Sequence, residues 1–214
     1  MTAYASVVLD MDSTLAGVEG IDWLARRRGA VASRAVAALT ERAMNGELAL
    51  DAVYGERLAL IRPSASDVAA LARLYEESVA PGAPAAIERL RDAGVALVIV
   101  SGGILDAIVP CARGLGFAPG EVHAVRLYFG EGGEYRDYDR SSPLATQHGK
   151  LDVLRALSLP RPLLAVGDGS TDAAMSAEAD AFAAFTGFVR REAVVAVADL
   201  ELHSFDELLE TVLS

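Results

Sequence analysis

Val7-Val8-Leu9-Asp10-Met11-Asp12-Ser13-Thr14 decides how this chain is read, because a short apolar run ends in two carboxylates spaced two residues apart. In extended backbone, residues i and i+2 share a face, and in open α/β sheets ligands bind in the crevice beyond the carboxyl ends of the strands. Asp10 and Asp12 are therefore expected to point into one pocket. Two carboxylates ~4 Å apart repel by roughly 1 to 4 kcal/mol across plausible dielectrics. A proton or a cation is expected between them. A divalent metal meets that demand, and the pair then reads as a phosphoryl-transfer site. The same residues also fit a solvated turn that caps a helix near Thr14, so the rest of the chain has to decide.

Composition narrows the classes. At 214 residues and 52% hydrophobic, the chain can bury one full core and a small second module. Its 30 acidic and 19 basic residues leave a net charge of -11, which argues against nucleic acid and against an anionic membrane surface as partners. An anionic substrate needs local cations. Cys111 is the one cysteine, so an intramolecular disulfide is excluded, and Met1-Thr2-Ala3-Tyr4 carries neither a basic region nor a long apolar segment. The expected compartment is a reducing cytoplasm. The strongest apolar stretch, Val95 to Val100, falls far short of the ~20 residues that span a bilayer.

Three apolar runs end in small polar or acidic residues: Ala5 to Leu9, Val95 to Val100, and Leu163 to Val166. They read as parallel strands buried on both faces. Helical patterns separate or follow them, at Ala85 to Ala93, Ile104 to Leu115, Lys150 to Leu157, Thr171 to Ala179 and Ser204 to Leu213. Such alternation implies a doubly wound sheet. Leu127 to Phe129 and Glu134 to Tyr138, around Gly130-Glu131-Gly132-Gly133, read as a hairpin. From about Gly17 to Glu77 the periodicity is helical throughout. Residues 17–77 are therefore expected to form a helical cap inserted after the first strand, with residues 1–16 and 78–214 as the core. Within the cap, Ser64-Ala65-Ser66-Asp67 has the form of a capping box and Asn45-Gly46 marks a turn.

Three further motifs join the acidic pair. Val166-Gly167-Asp168-Gly169-Ser170-Thr171-Asp172 places a second acidic cluster at a strand end, and hard oxygen ligands from two strand ends suit magnesium. Ser101-Gly102-Gly103, after one strand and before a helix, offers a hydroxyl and backbone N–H groups as a phosphate cradle. Lys150, after Gly149, can neutralise phosphate oxygens. Each alone has an ordinary reading as turn, punctuation or solvated surface.

In that order the four motifs resemble those of the haloacid dehalogenase superfamily, and their detail is similar to its phosphoserine phosphatase family. The likeness extends to Val18-Glu19-Gly20-Ile21-Asp22, to Met44 through Arg57, and to Ala179-Asp180-Ala181-Phe182, nearly the whole chain. It implies an α/β fold, a three-layer Rossmann-like core with a parallel sheet plus a small helical-bundle cap. It also implies magnesium-dependent hydrolysis of O-phospho-L-serine to serine and phosphate, the last step of serine biosynthesis. Asp10 would be the nucleophile that forms an aspartyl-phosphate, and Asp12 the general acid and then the general base. An Asp10 oxygen, the Asp12 backbone carbonyl and Asp168 would hold Mg2+, with Asp172 orienting coordinated water. Ser101, Gly102, Gly103, Lys150 and Thr171 would surround the phosphate. Glu19 would meet the substrate ammonium, Arg57 its carboxylate, and Met44 would line the same site.

Leu50 stands where the family usually has an aromatic residue, Thr171 replaces an asparagine of many bacterial members, and Asn45 replaces a glycine of some. Rival readings are a phosphatase for another small phosphomonoester, such as phosphothreonine, phosphohomoserine or phosphoethanolamine, and a phospho-receiver signalling protein. A monomer or homodimer is expected. His123, His148, His203, Cys111 and Trp23 receive no role.

Overall fold

The computed structural model describes residues 2–44 and 50–214, and within these the side chains of residues 40–44 and 50–52 are not described. The Asn45-Gly46 turn expected from the sequence lies outside the described residues. So do the side chains of Met44 and Leu50.

Ser6–Leu9 (β1) is buried at every position, as a strand covered on both faces must be. It pairs in parallel with Ala96–Ile104 (β2) on one side and Leu163–Gly167 (β6) on the other. Ser6 lies opposite both Ala96 and Leu163. Val122–Val125 (β3), Ala181–Phe185 (β7) and Leu200–Leu202 (β8) complete a six-stranded parallel sheet of order β3-β2-β1-β6-β7-β8. The chain runs outward to β3 on one side of β1, then returns to β6 on the other. Such a reversal opens a crevice at the carboxyl ends of the central strands. Asp10 and Asp168 are the first residues after β1 and β6, and the Asp10 N–H donates to the Val166 carbonyl at 3.0 Å.

The sheet is flanked by Ala83–Asp92 (α5), Leu105–Gly114 (α6), Gly149–Ala156 (α7), Ser170–Ala173 (α8), Glu192–Val195 (α9) and Phe205–Leu213 (α10). Leu127–Phe129 (β4) and Tyr135–Tyr138 (β5) form the expected hairpin, with Phe129 opposite Tyr135. Between β1 and β2 run Gly20–Arg27 (α1), Ala30–Met44 (α2), Leu50–Ile61 (α3) and Ala65–Glu77 (α4). The chain leaves and rejoins the sheet side by side, through an antiparallel bridge of Ala16 with Val79 and a Gly17 N–H to Ser78 carbonyl bond of 2.9 Å. Helices α1 to α3 pack on one another, whereas α4 lies along α6. Ser64 and Asp67 close the capping box at the start of α4, each accepting from the other's backbone N–H.

Two sequence expectations are corrected. Ser101-Gly102-Gly103 does not sit at a helix N-terminus; β2 continues through it to Ile104, with an irregular register between Val100 and Ile104, and α6 begins at Leu105. The bulge exists because the Ser101 hydroxyl accepts the Gly103 N–H at 3.0 Å, withdrawing that amide from the ladder. The helix expected from Thr171 to Ala179 is one short α-turn, Ser170–Ala173, followed by a 3-10 turn, Ala174–Ala177. Its early end lets Asp180 bond Leu163 in both directions and start β7 in register with β6.

Candidate active site

The turn after β1 is set by Ser13, whose φ of 53° is the left-handed conformation that a non-glycine residue adopts at a cost. It swings the chain back so that the Ser13 hydroxyl donates to Glu19 Oε1 at 2.8 Å and the Gly20 N–H donates to Asp12 Oδ2 at 3.0 Å. Asp10 is buried, while Asp12 keeps a partly accessible face toward a cavity of about 220 Å³.

On the sheet side, Lys150 enters from the first turn of α7, 5% exposed. Its Nζ lies 2.7 Å from Asp10 Oδ1 and 2.6 Å from Asp172 Oδ1. Burial alone would lower the amine's pKa, but the two carboxylates outweigh it and raise it, so Lys150 is charged. The contact with Asp10 is not aligned as a hydrogen bond, and Oδ1 remains a buried acceptor with capacity to spare. Asp172 turns its other oxygen to the Gly169 N–H at 3.0 Å. That approach demands Gly167, since a Cβ there would lie 2.2 Å from the Asp172 carboxyl carbon. Asp168 pairs with Arg191 Nε at 2.9 Å, and Arg191 also reaches Glu19 Oε1 at 3.2 Å.

One oxygen each from Asp10, Asp168 and Asp172 fall within 4.8 Å of one another. Three convergent carboxylates, one with an unfilled buried lone pair, fit a divalent metal ion. Burial first, then Asp10, pushes Asp168 up to about 6, and the same two causes raise Asp172 against the pull of Lys150. Burial, then Glu19 and Asp10, pushes Asp12 up to about 8, despite hydrogen bonds from Tyr75 and Gly20 that favour its charged form. A carboxyl so placed carries a proton near neutral pH.

Asp10, Asp12, Glu19, Arg57, Ser101, Gly102, Gly103, Lys150 and Thr171, all named from the sequence, line this one cavity. Asp168 and Asp172 stand behind Asp10 in the carboxylate cluster. Sequence reading missed Asp22, Tyr54 and Thr146 on the cavity wall, as well as Tyr75 and Arg191. Helical spacing carried a signal for two of them, because Asp22 lies three residues after Glu19 and Tyr54 three before Arg57. Among the described residues, the buried Tyr54 hydroxyl and Arg57 Nε have no hydrogen-bond partner, and the guanidinium sits 5.7 Å from the Tyr54 ring centre.

Residues 4–180 match the haloacid dehalogenase-like hydrolase family. Human phosphoserine phosphatase is 36% identical over 207 residues, covering 95% of this chain and 91% of that protein. A phosphoserine phosphohydrolase-like protein from Francisella tularensis superposes with a TM-score of 0.84 at 22% identity, covering 96% of this chain and 98% of that one. A substrate-bound phosphoserine phosphatase superposes with a TM-score of 0.79 at 25% identity, covering 97% and 98%.

Proposed function

Since this chain belongs to the haloacid dehalogenase-like hydrolases, we propose that it is a phosphatase that hydrolyses O-phospho-L-serine to serine and phosphate. The observation that carries this reading is the cavity's arrangement of charge. Asp10, Asp12, Lys150 and Ser101 form its sheet side, while Glu19 and Arg57 bring one anion and one cation from the helical side. A small zwitterionic phosphomonoester matches all three parts. Arginine suits a carboxylate because its planar fork offers paired donors.

The chain's own residues perform two displacements. Asp10 attacks phosphorus as the P–O ester bond breaks, and the departing seryl oxygen takes the proton of Asp12. Water then attacks the aspartyl-phosphate, gives its proton to Asp12, and the Asp10–phosphorus bond breaks to release phosphate. One carboxyl thus serves as acid and base in turn, the proton inventory closes, and such catalysis contributes about 10²- to 10⁴-fold. Lys150 and the Ser101 hydroxyl would steady the phosphoryl oxygens. Mg2+ would be held by an Asp10 oxygen, the Asp12 carbonyl and Asp168, with Asp172 beside them; when bound it supplies positive charge against the transferring phosphoryl group. The place in metabolism would be the last step of serine formation, in a reducing cytoplasm that keeps Cys111 a thiol. Among the described residues no helix is long and apolar enough to cross a membrane.

The test is phosphate release from O-phosphoserine, phosphothreonine, phosphoethanolamine and sugar phosphates, with magnesium and with chelator, beside Asp10→Asn. Magnesium-dependent turnover led by phosphoserine is expected. A different leading ester would retain the chemistry and overturn the substrate, and no turnover of any ester would favour a phospho-receiver.

A further inference from the structure

Tyr75, in the last turn of α4, is fully buried, and its hydroxyl donates to Asp12 Oδ1 at 2.5 Å from 63 residues away in sequence. The other oxygen, Oδ2, accepts the Gly20 N–H. A carboxyl's terminal torsion is broad when nothing holds it. With a donor on each oxygen, the Asp12 group is fixed in one plane. The space around the hydroxyl is shaped to admit it: a Cβ at Gly20 would lie 2.3 Å from the Tyr75 oxygen, and one at Gly103 3.5 Å. A buried hydroxyl is costly unless it is partnered, and phenylalanine would fill the same core without that cost. The tyrosine therefore has a reason to be there beyond packing. Because α4 lies along α6, which leaves the sheet at β2, the hydroxyl is set by the framework that carries the catalytic floor.

Resting on the phosphatase reading, we infer that Tyr75 is the positioning residue of the general acid–base, holding the Asp12 carboxyl where the ester oxygen departs and where water later attacks. Tyr75 does not line the cavity and acts only through Asp12. It keeps its own proton in both displacements.

The experiment compares the wild-type chain with Tyr75→Phe, Tyr75→Leu and Gly20→Ala, with magnesium and O-phosphoserine, measuring kcat and KM separately and the folded fraction by circular dichroism. Tyr75→Phe is expected to lower kcat by about 10- to 100-fold, the scale of a hydrogen bond lost from Asp12 as it becomes charged on giving up its proton, without raising KM and with the chain fully folded. Tyr75→Leu should do no better than Tyr75→Phe, since the missing hydroxyl rather than the ring is at fault. Gly20→Ala, whose Cβ would lie 2.3 Å from the hydroxyl, should lower kcat alone and cost markedly less in the Tyr75→Phe background, the non-additivity expected of groups acting as a unit. A Tyr75→Phe enzyme with wild-type kcat, a loss that merely tracks the unfolded fraction, or additive effects of the two substitutions would each overturn the inference. Absence of wild-type turnover would overturn the phosphatase reading and this inference with it, whereas normal wild-type turnover that Tyr75→Phe leaves unchanged would overturn this inference alone.

Discussion

The sheet side of the cavity and its helical side differ in how fully their charges are answered within the protein. Asp10, Lys150, Asp168 and Asp172 are each at most 5% exposed, and ion pairs join all four to a partner. On the helical side, Glu19 is held by Ser13 and Arg191, but the Arg57 Nε and the Tyr54 hydroxyl are buried without partners among the described residues. Unpaired buried polar atoms are costly unless something completes them. The contrast assigns labour: the charges that perform chemistry are preorganised by one another, with one Asp10 oxygen left open, and the Arg57 side of the recognition site waits for a substrate to complete it.

Four substitutions break or sharpen that contrast, from the largest effect down. Lys150→Met strips the cation from between two buried carboxylates, which costs about 3 to 5 kcal/mol when one partner of a buried pair is removed. Urea denaturation should record that loss, and phosphate release should vanish with it. Asp12→Asn keeps the size of the side chain but not the transferable proton, so kcat should fall about 10²- to 10⁴-fold in steady-state assay, with melting temperature little changed. Arg57→Ala touches only the helical side. It should raise KM for phosphoserine by about 10- to 100-fold, the worth of a hydrogen bond to a charged group, while phosphoethanolamine, which has no carboxylate, is handled as by the wild type. Equal effects on both esters would undo the division of labour.

The smallest effect lies at the far end of α4. Burial would raise the Asp67 carboxyl, but the Ser64 hydroxyl and amide, with Arg28, outweigh it and hold the pKa below its ordinary value. A depressed carboxyl contributes stability that is present above its unfolded value near 4 and is lost as pH falls through the native one. Asp67→Ala should therefore cost about 0.5 to 2 kcal/mol at pH 7, as lost caps do, and its difference from the wild type should shrink below about pH 4. Urea melts at both pH values make the check.

What the sequence disclosed follows the same physics. β1 and β6 were legible because strands buried on both faces read as unbroken apolar runs. β3 and β8 were not, being four and three residues long with His123 and Glu201 inside them. The bulge at Ser101 to Gly103 escaped because it depends on which partner the Ser101 hydroxyl takes, a choice made in three dimensions. Asp10, Lys150 and Asp168 could be picked out since each directly follows a strand or lies in the first turn of a helix, positions that a local pattern marks, and Ser101 because it directly follows the apolar run of Val95 to Val100. Tyr75 and Arg191 bear no such mark. They reach Asp12 and Glu19 across 63 and 172 residues, and topology alone brings them there.

The crowding of Asp10, Glu19, Asp168 and Asp172 around Lys150, Arg57 and Arg191 has a kinetic side. Even with Asp12 protonated, these four carboxylates and Asp22 on the cavity wall face three cations, a deficit of two charges that a bound divalent ion would cancel. What a phosphate dianion meets from a distance is then the net charge of -11 that the chain carries as a whole, a repulsive potential and not an attractive one. Added salt, which shortens the reach of that repulsion to about 8 Å at physiological ionic strength, should quicken the encounter, the reverse of an enzyme that draws its substrate in from a distance.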